Sequence, residues 1–186
     1  MIQSLFIIIG LMFWPTTSIN LGELLGCEKD ITVDYMEQCP EETNMAVSFT
    51  DLSIQQINKD QCAFNGKIEF LKPVGEPWKL TFRLRKCKSK DNSKSCQDFF
   101  NFNMDKICEK LHQKNQVWSG FLEEIEMDKK CPLQPKVYPI KNIVIDADAM
   151  KYFPINNAYF KLRIEGYMNV TKILCVDSAF TLSCKK

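Results

Sequence analysis

The sequence predicts a mainly β protein: an antiparallel β-sandwich or β-cup of two sheets with two short covering helices. Several segments alternate apolar and polar residues with a period of two, which is typical of half-buried strands. Two segments in the middle of the chain instead place apolar residues at helical spacing. Strands and helices are segregated along the 186 residues rather than alternating, which argues against a parallel βαβ sheet.

The first half of the chain carries three predicted strands. Alternation is strictest over residues 78–85, where one face is apolar and the other polar. A second strand covers residues 64–70. In the earliest strand, which starts at Met45, the alternation slips by one residue at Thr50 and Asp51, as a β-bulge would cause.

The middle of the chain changes period. One helical stripe consists of Phe100, Met104, Ile107, Cys108 and Leu111. A shorter one consists of Val117, Trp118, Phe121, Leu122 and Ile125. Strand patterns then return over residues 138–145, 158–167 and 172–184, so the predicted order is three strands, two helices and three or more strands.

The N-terminal residues predict a secreted protein. The apolar run from Leu5 to Trp14 spans only ~15 Å as a helix, about half of a bilayer core. Small and turn-forming residues follow it, so residues 1–18 are predicted to be a signal peptide; the alternative is a short core helix. Residues 19–38 are predicted as an N-terminal extension and residues 39–186 as a single domain. The expected location is extracellular, with the lysosomal lumen as an alternative.

Nine cysteines and one histidine predict disulfides rather than zinc. No two cysteines form a Cys-x-x-Cys pair, and His112 is the only imidazole. An oxidising compartment favours a disulfide framework with one thiol left over. Cys87 and Cys96 bracket a polar loop that a disulfide would close. Cys175 and Cys184 lie roughly 30 Å apart if they share one extended strand, too far for a bond. The remaining connectivity stays open.

The composition argues against several functional classes. With 24 basic and 23 acidic residues, the chain has no excess charge that would attract nucleic acid. There is no Gly-x-Ser-x-Gly motif and a single candidate imidazole base, so no nucleophile relay is recognisable. Asp146 and Asp148 share a strand face, but a solvated strand end explains them better than a metal site. We therefore predict no catalytic residue, metal or cofactor, although a glycosidase-type carboxylate pair depends on spatial positions and stays open.

Three surface features are candidates for contact or modification. Six basic residues surround the loop between Cys87 and Cys96, and they suit either an anionic membrane surface or plain solvation: Arg83, Arg85, Lys86, Lys88, Lys90 and Lys94. The connector at 150–157 carries Tyr152 and Phe153, which either pack onto the core or form the rim of an apolar cavity. The sequon at Asn169 is either a glycan acceptor or an unused tripeptide.

The last third of the chain adds further features. Cys131-Pro132 is followed six residues later by Tyr138, Tyr159 opens the next strand, and Leu174-Cys175-Val176 lies in the final one. Together these features resemble the ML lipid-recognition superfamily, and within it the ganglioside activator protein and the insect chemosensory CheB-like secreted proteins. The resemblance covers residues 108–186.

Two positions depart from the pattern of these relatives. They carry glycine two residues before the first tyrosine, where this chain has Lys136. They also carry glycine near the second tyrosine, where this chain has Asn157 and Ala158. Because asparagine tolerates the left-handed conformation, the second turn is expected to survive.

The resemblance implies an immunoglobulin-like, two-sheet β-cup whose sheets splay apart around an apolar ligand. It also implies one disulfide between Cys39 and Cys175 and another between Cys108 and Cys131, beside the local Cys87–Cys96 bond. Three cysteines would then remain, one of which would stay free or pair between chains: Cys27, Cys62 and Cys184.

The expected function is a secreted, non-enzymatic carrier of a lipid or hydrophobic small molecule, either a lipid-presenting activator or a chemosensory carrier. Tyr152 and Phe153 are the rim candidates, and eight inward-facing residues are the wall candidates: Trp78, Leu80, Phe82, Phe160, Leu162, Ile164, Phe180 and Leu182. The expected partners are that ligand, a hydrolase or receptor, and an anionic membrane surface. The alternatives are an interaction module or cofactor of a hydrolase or receptor without a lipid cavity, and, less favoured, a secreted hydrolase.

Overall fold

A computed structural model describes residues 27–114, 118–147 and 157–185. Within these ranges, two α-helices, α1 (Ile107–Lys110) and α2 (Ser119–Glu124), and a 3₁₀ turn at Ser93–Ser95 accompany the strands. The strands are β1 (Lys29–Gln38), β2 (Val47–Gln56), β3 (Gln61–Phe70), β4 (Trp78–Cys87), β5 (Gln97–Asp105), β6 (Lys136–Asp146), β7 (Ala158–Met168) and β8 (Thr171–Cys184). The predicted signal peptide, residues 1–18, lies outside the described residues.

The strands form two antiparallel sheets, which confirms the predicted fold class. The larger sheet has the order β1-β8-β7-β4-β5, and the smaller has the order β2-β3-β6. Along one margin of the sandwich, β1 packs against β2 and β3. At the opposite margin no comparable contact joins β5 to β6 within the described chain. The sheets are therefore closed along one side and open toward the other.

The predicted bulge in β2 is present. The β2–β3 register shifts between Thr50 and Ser53, and Asp51 has a positive φ of 53°. Opposite the bulge, Gly66 has φ +152°, and a Cβ built there would lie 2.8 Å from Cδ2 of Leu52. The bulge therefore needs a residue without a side chain on the neighbouring strand.

The first strand was not predicted from sequence. β1 pairs with β8 from Lys29 to Gln38, so the predicted domain start at Cys39 leaves out one strand of the sheet. A register shift between Val33 and Tyr35 breaks the alternation in β1. This interruption hides the period-two pattern from which the other strands were predicted.

The first predicted helix is wrong over most of its length. Residues Gln97–Asp105 form β5, and only Ile107–Lys110 is helical. Phe100 and Met104 are four residues apart, a spacing that fits a helical stripe and a strand face equally well. Phe102 lies between them on the same strand face, which decides in favour of the strand.

Four disulfides stabilise the sandwich. Three are the pairs named above, Cys39–Cys175, Cys87–Cys96 and Cys108–Cys131, and the fourth is Cys27–Cys184. Because Cys27 precedes β1 and Cys39 follows it, two of these bonds fasten both ends of β1 to β8. Cys62 is the free thiol; it is fully buried, and burial raises its pKa, which disfavours the reactive thiolate.

No helix within the described residues is long and apolar enough to cross a lipid bilayer.

The disulfide that fastens β1 should contribute more stability than the local one. The Cys39–Cys175 bond joins residues 136 apart, whereas Cys87–Cys96 joins residues 9 apart. Because Cys27–Cys184 already joins the same two strands, the loop that Cys39–Cys175 adds runs through that bond and contains about 23 residues. The entropy of loop closure therefore predicts that replacing both cysteines by alanine lowers the free energy of unfolding by about 3.4 kcal/mol for this bond and by about 2.6 kcal/mol for Cys87–Cys96. Urea unfolding of the two double variants checks this. Equal losses of unfolding free energy would contradict the explanation that the disulfides stabilise the protein by restricting the unfolded chain.

Candidate ligand-binding site

An apolar cavity of about 300 Å³ lies between the two sheets at the end that the helices cover. Among the described residues that line it, only Lys110 is charged, and the others are apolar. They are Val47, Phe49, Ile68, Phe70, Trp78, Leu80, Phe82, Met104, Ile107, Leu111, Trp118, Phe121, Leu122, Met127 and Leu174. The space is suited to a hydrophobic ligand.

The period-two alternation of the strands explains which residues form the walls of the cavity. Trp78, Leu80 and Phe82 alternate with polar residues along β4, so all three face the smaller sheet. On the facing sheet Val47 and Phe70 are paired neighbours of β2 and β3 and line the opposite wall. Each wall is therefore the inner face of one sheet.

Gly166 of β7 lets two wall residues approach each other. A Cβ at this position would lie 2.9 Å from Cβ of Leu174 and 3.3 Å from Cδ2 of Leu80. Both leucines line the cavity. Any larger residue at position 166 would push at least one of them, and thereby change the shape of the wall.

Three interactions hold the helices over the cavity. The Glu76 carboxylate accepts hydrogen bonds from the backbone N–H of Trp78, at 2.6 Å, and of Cys108, at 2.8 Å. The Cys108–Cys131 disulfide ties α1 to the segment that leads into β6. The Trp118 indole N–H donates to the backbone carbonyl of Lys110 at 3.3 Å, which joins the start of α2 to the end of α1.

The structure brings three of the predicted wall residues to the cavity and leaves the others away from it. Trp78, Leu80 and Phe82 line it. Phe160, Phe180 and Leu182 are buried in a second apolar cluster, in which the rings of Phe160 and Phe180 stack with centroids 5.5 Å apart. Leu162 packs against that cluster, and Ile164 is half-buried and does not line the cavity. None of these five residues belongs to the described lining.

Other predicted residues have different outcomes. Tyr152 and Phe153, the rim candidates, and Asp148 lie outside the described residues. The helical lining residues, such as Ile107 and Phe121, belong to stripes that the sequence reveals, but the stripes alone do not show that they face open space. Asn157 adopts the predicted left-handed conformation with φ 47°.

Buried ionic groups lie on the outer face of the larger sheet. The Glu165 carboxylate, almost fully buried, contacts Nζ of Lys172 at 2.8 Å and the Arg83 guanidinium at 3.1 Å. Burial acts to raise the pKa of Glu165, but the hydrogen bond and charge of Lys172 hold it below its usual value. Neither Glu165 nor these partners line the cavity, so this cluster lies outside the candidate site.

One group of potential metal ligands occurs among the described residues: Cys39, Glu41 and Asp177. The sulfur of Cys39 is in a disulfide, and both carboxylates pair with Arg163, at 2.8 and 2.6 Å. These interactions already engage every member of the group. The arrangement therefore gives no support to a metal site.

The basic loop and the sequon are both on the surface. Lys88 and Lys94 are exposed, and Lys90 pairs with Asp34 at 2.9 Å. Asn169 has a left-handed φ of 56° in the turn between β7 and β8, where Val170 is 93% exposed. A glycan on Asn169 would extend into solvent.

No protein-family model matches this chain, and no curated protein matches it significantly. The resemblance to the ML superfamily therefore rests on the sequence features given above.

Truncation should distinguish a wall residue from a core residue. Phe160 has no exposed surface, so Phe160→Ala should lower the free energy of unfolding by ~3–5 kcal/mol. Leu80 borders open space and loses fewer contacts, so Leu80→Ala should cost about 2 kcal/mol, the lower end for leucine. Urea unfolding measures both. A larger loss for Leu80→Ala would place Leu80 in a filled core.

Proposed function

We propose that this protein is a secreted, non-enzymatic binding protein that holds a lipid or another hydrophobic small molecule between its sheets. The observation that carries the proposal is the apolar cavity of about 300 Å³ with a single charged residue among its described lining. The features that resemble the ML superfamily support the same function, as a lipid-presenting activator or a chemosensory carrier.

The size of the cavity supports a useful affinity. At ~30 Å³ for each water-sized group, it has room for roughly ten methylene groups. Burying each one contributes ~0.8 kcal/mol, or ~8 kcal/mol in total before the costs of association. A micromolar dissociation constant corresponds to about 8 kcal/mol after those costs, so burial of the chain alone sets micromolar affinity as the upper limit.

Two further observations support binding without catalysis, outside the cell. Acid–base catalysis needs a titratable group within hydrogen-bond reach of the substrate, and Lys110 is the only such group among the described lining residues. The four disulfides favour an oxidising compartment, and the exposed sequon at Asn169 suits a glycoprotein. The proposal also includes two partners. The protein would release its bound ligand to a hydrolase or receptor, and its basic loop would contact anionic membranes.

Uptake of a fluorescent hydrophobic compound tests the binding function. The disulfide-bonded protein should enhance the emission of N-phenylnaphthylamine with a micromolar dissociation constant. Leu80→Trp fills the cavity and should weaken binding of the fluorophore by roughly tenfold or more, because the indole occupies the space that the fluorophore needs. Val144 is 48% exposed and does not line the cavity, so Val144→Trp is the matched control and should bind like the wild type. Equal binding by all three proteins would show that the compound binds elsewhere.

The outer edge of β5 favours a second candidate function, a protein-interaction module. β5 is an edge strand, and three of its aromatic side chains are between 43% and 51% exposed: Phe99, Phe100 and Phe102. Exposed aromatic residues on a strand that ends the sheet, as the described residues form it, suit a partner that adds a strand. Such a protein would bind its hydrolase or receptor without a lipid.

Two variants with opposite effects separate the two functions. Phe100→Lys places a charge on the edge strand and should abolish capture of a partner protein from the secreting tissue if β5 is the interface. Leu80→Trp should leave that capture unchanged. A captured protein that is lost with Leu80→Trp but kept by Phe100→Lys would contradict the edge-strand function and favour a ligand-dependent partner.

A further inference from the structure

Lys110 is the only charged side chain among the described residues that line the cavity. It is the last residue of α1 and is half-buried. Its neighbour Lys106 pairs with Glu109 at 3.5 Å, whereas no carboxylate in the described part of the chain forms an ion pair with Lys110. Among the described residues, a half-buried cation without a counterion therefore borders an otherwise apolar space.

The backbone around Lys110 is fixed. Its carbonyl accepts the hydrogen bond from the Trp118 indole, and its N–H donates to the carbonyl of Lys106 at 3.3 Å. Cys108, two residues earlier, is held by the Cys131 disulfide and by Glu76. The position from which the side chain starts is therefore set by the fold, which favours recognition of a charge at a defined place.

We propose that the ligand is a single-chain amphiphile with an anionic head, whose alkyl chain fills the cavity and whose head pairs with Lys110. This inference rests on the proposed binding function and adds the chemical class of the ligand. A hydrogen bond between a charged donor and a charged acceptor is the strong kind, particularly where water is partly excluded.

The competing explanation is that Lys110 contributes only its aliphatic stem to the wall, while its ammonium group stays in water. In that case the protein would bind an alkyl chain equally well with any small head. The two explanations therefore differ in the preference among heads, not in the affinity for the chain.

Four compounds with a chain of ten carbon atoms provide the test: decanoate, decyl sulfate, decanol and decyltrimethylammonium. The affinity of each compound is measured by its displacement of N-phenylnaphthylamine, at concentrations below those at which the compound forms micelles. The measurement is made with the wild type, Lys110→Met, Lys110→Arg and Lys106→Met. In the wild type, decanoate and decyl sulfate should bind more tightly than the cationic compound. Lys110→Met should lower the ratio of decanoate to decanol affinity by roughly tenfold or more, as expected for loss of a charge-assisted bond.

The control variants sharpen the result. Lys110→Arg keeps the charge and should keep most of the ratio, and Lys106→Met removes a nearby lysine that does not line the cavity and should leave the ratio unchanged. Binding of decanol by Lys110→Met shows that this variant is folded. An unchanged ratio in Lys110→Met, with decanol still bound, overturns this inference alone. Failure of all four compounds to displace the fluorophore from the wild type overturns the binding function as well.

Discussion

The attachment of β1 to β8 is the constraint on which the rest of this sandwich depends. A disulfide at each end of β1 fixes it to the larger sheet, and its packing against β2 closes one side of the sandwich. The opposite margin has no equivalent contact between β5 and β6 among the described residues. Space between the sheets is thus a consequence of joining them along one side only, with the short helices covering one end.

The sequence was sufficient to predict the faces of the strands but not all of the strands. The alternation from Trp78 and the slip at Thr50 each have one physical interpretation, and both are confirmed. The spacing of Phe100 and Met104 did not distinguish a helix from a strand, because residues four apart share a face in both. β1 escaped prediction because its alternation is interrupted and because its attachment to β8 is non-local in sequence.

The candidate site was harder to predict than the fold for a related reason. The alternation of apolar and polar residues assigns Leu80 and Phe160 to the same inner surface of the sheet. It does not show which of them packs against another side chain and which borders open space. That depends on the helices: they cover the cavity near Leu80, whereas Phe160 stacks on Phe180 at a different part of the sheet. Nothing in the sequence indicated that Lys110 lines a cavity, since a lysine at the end of a short helix ordinarily faces solvent.

An open cavity also has a cost that the fold must offset. Side chains that border empty space forfeit the dispersion contacts that a filled core would supply. Here the disulfides restrict the unfolded chain, and the bonds of Glu76 and Trp118 fix the helices over the gap, so stability does not require the cavity to collapse. The same framework fixes the backbone of Lys110 beside the apolar space. The rigidity that protects the cavity therefore also fixes the backbone from which the one charged residue of the described lining extends.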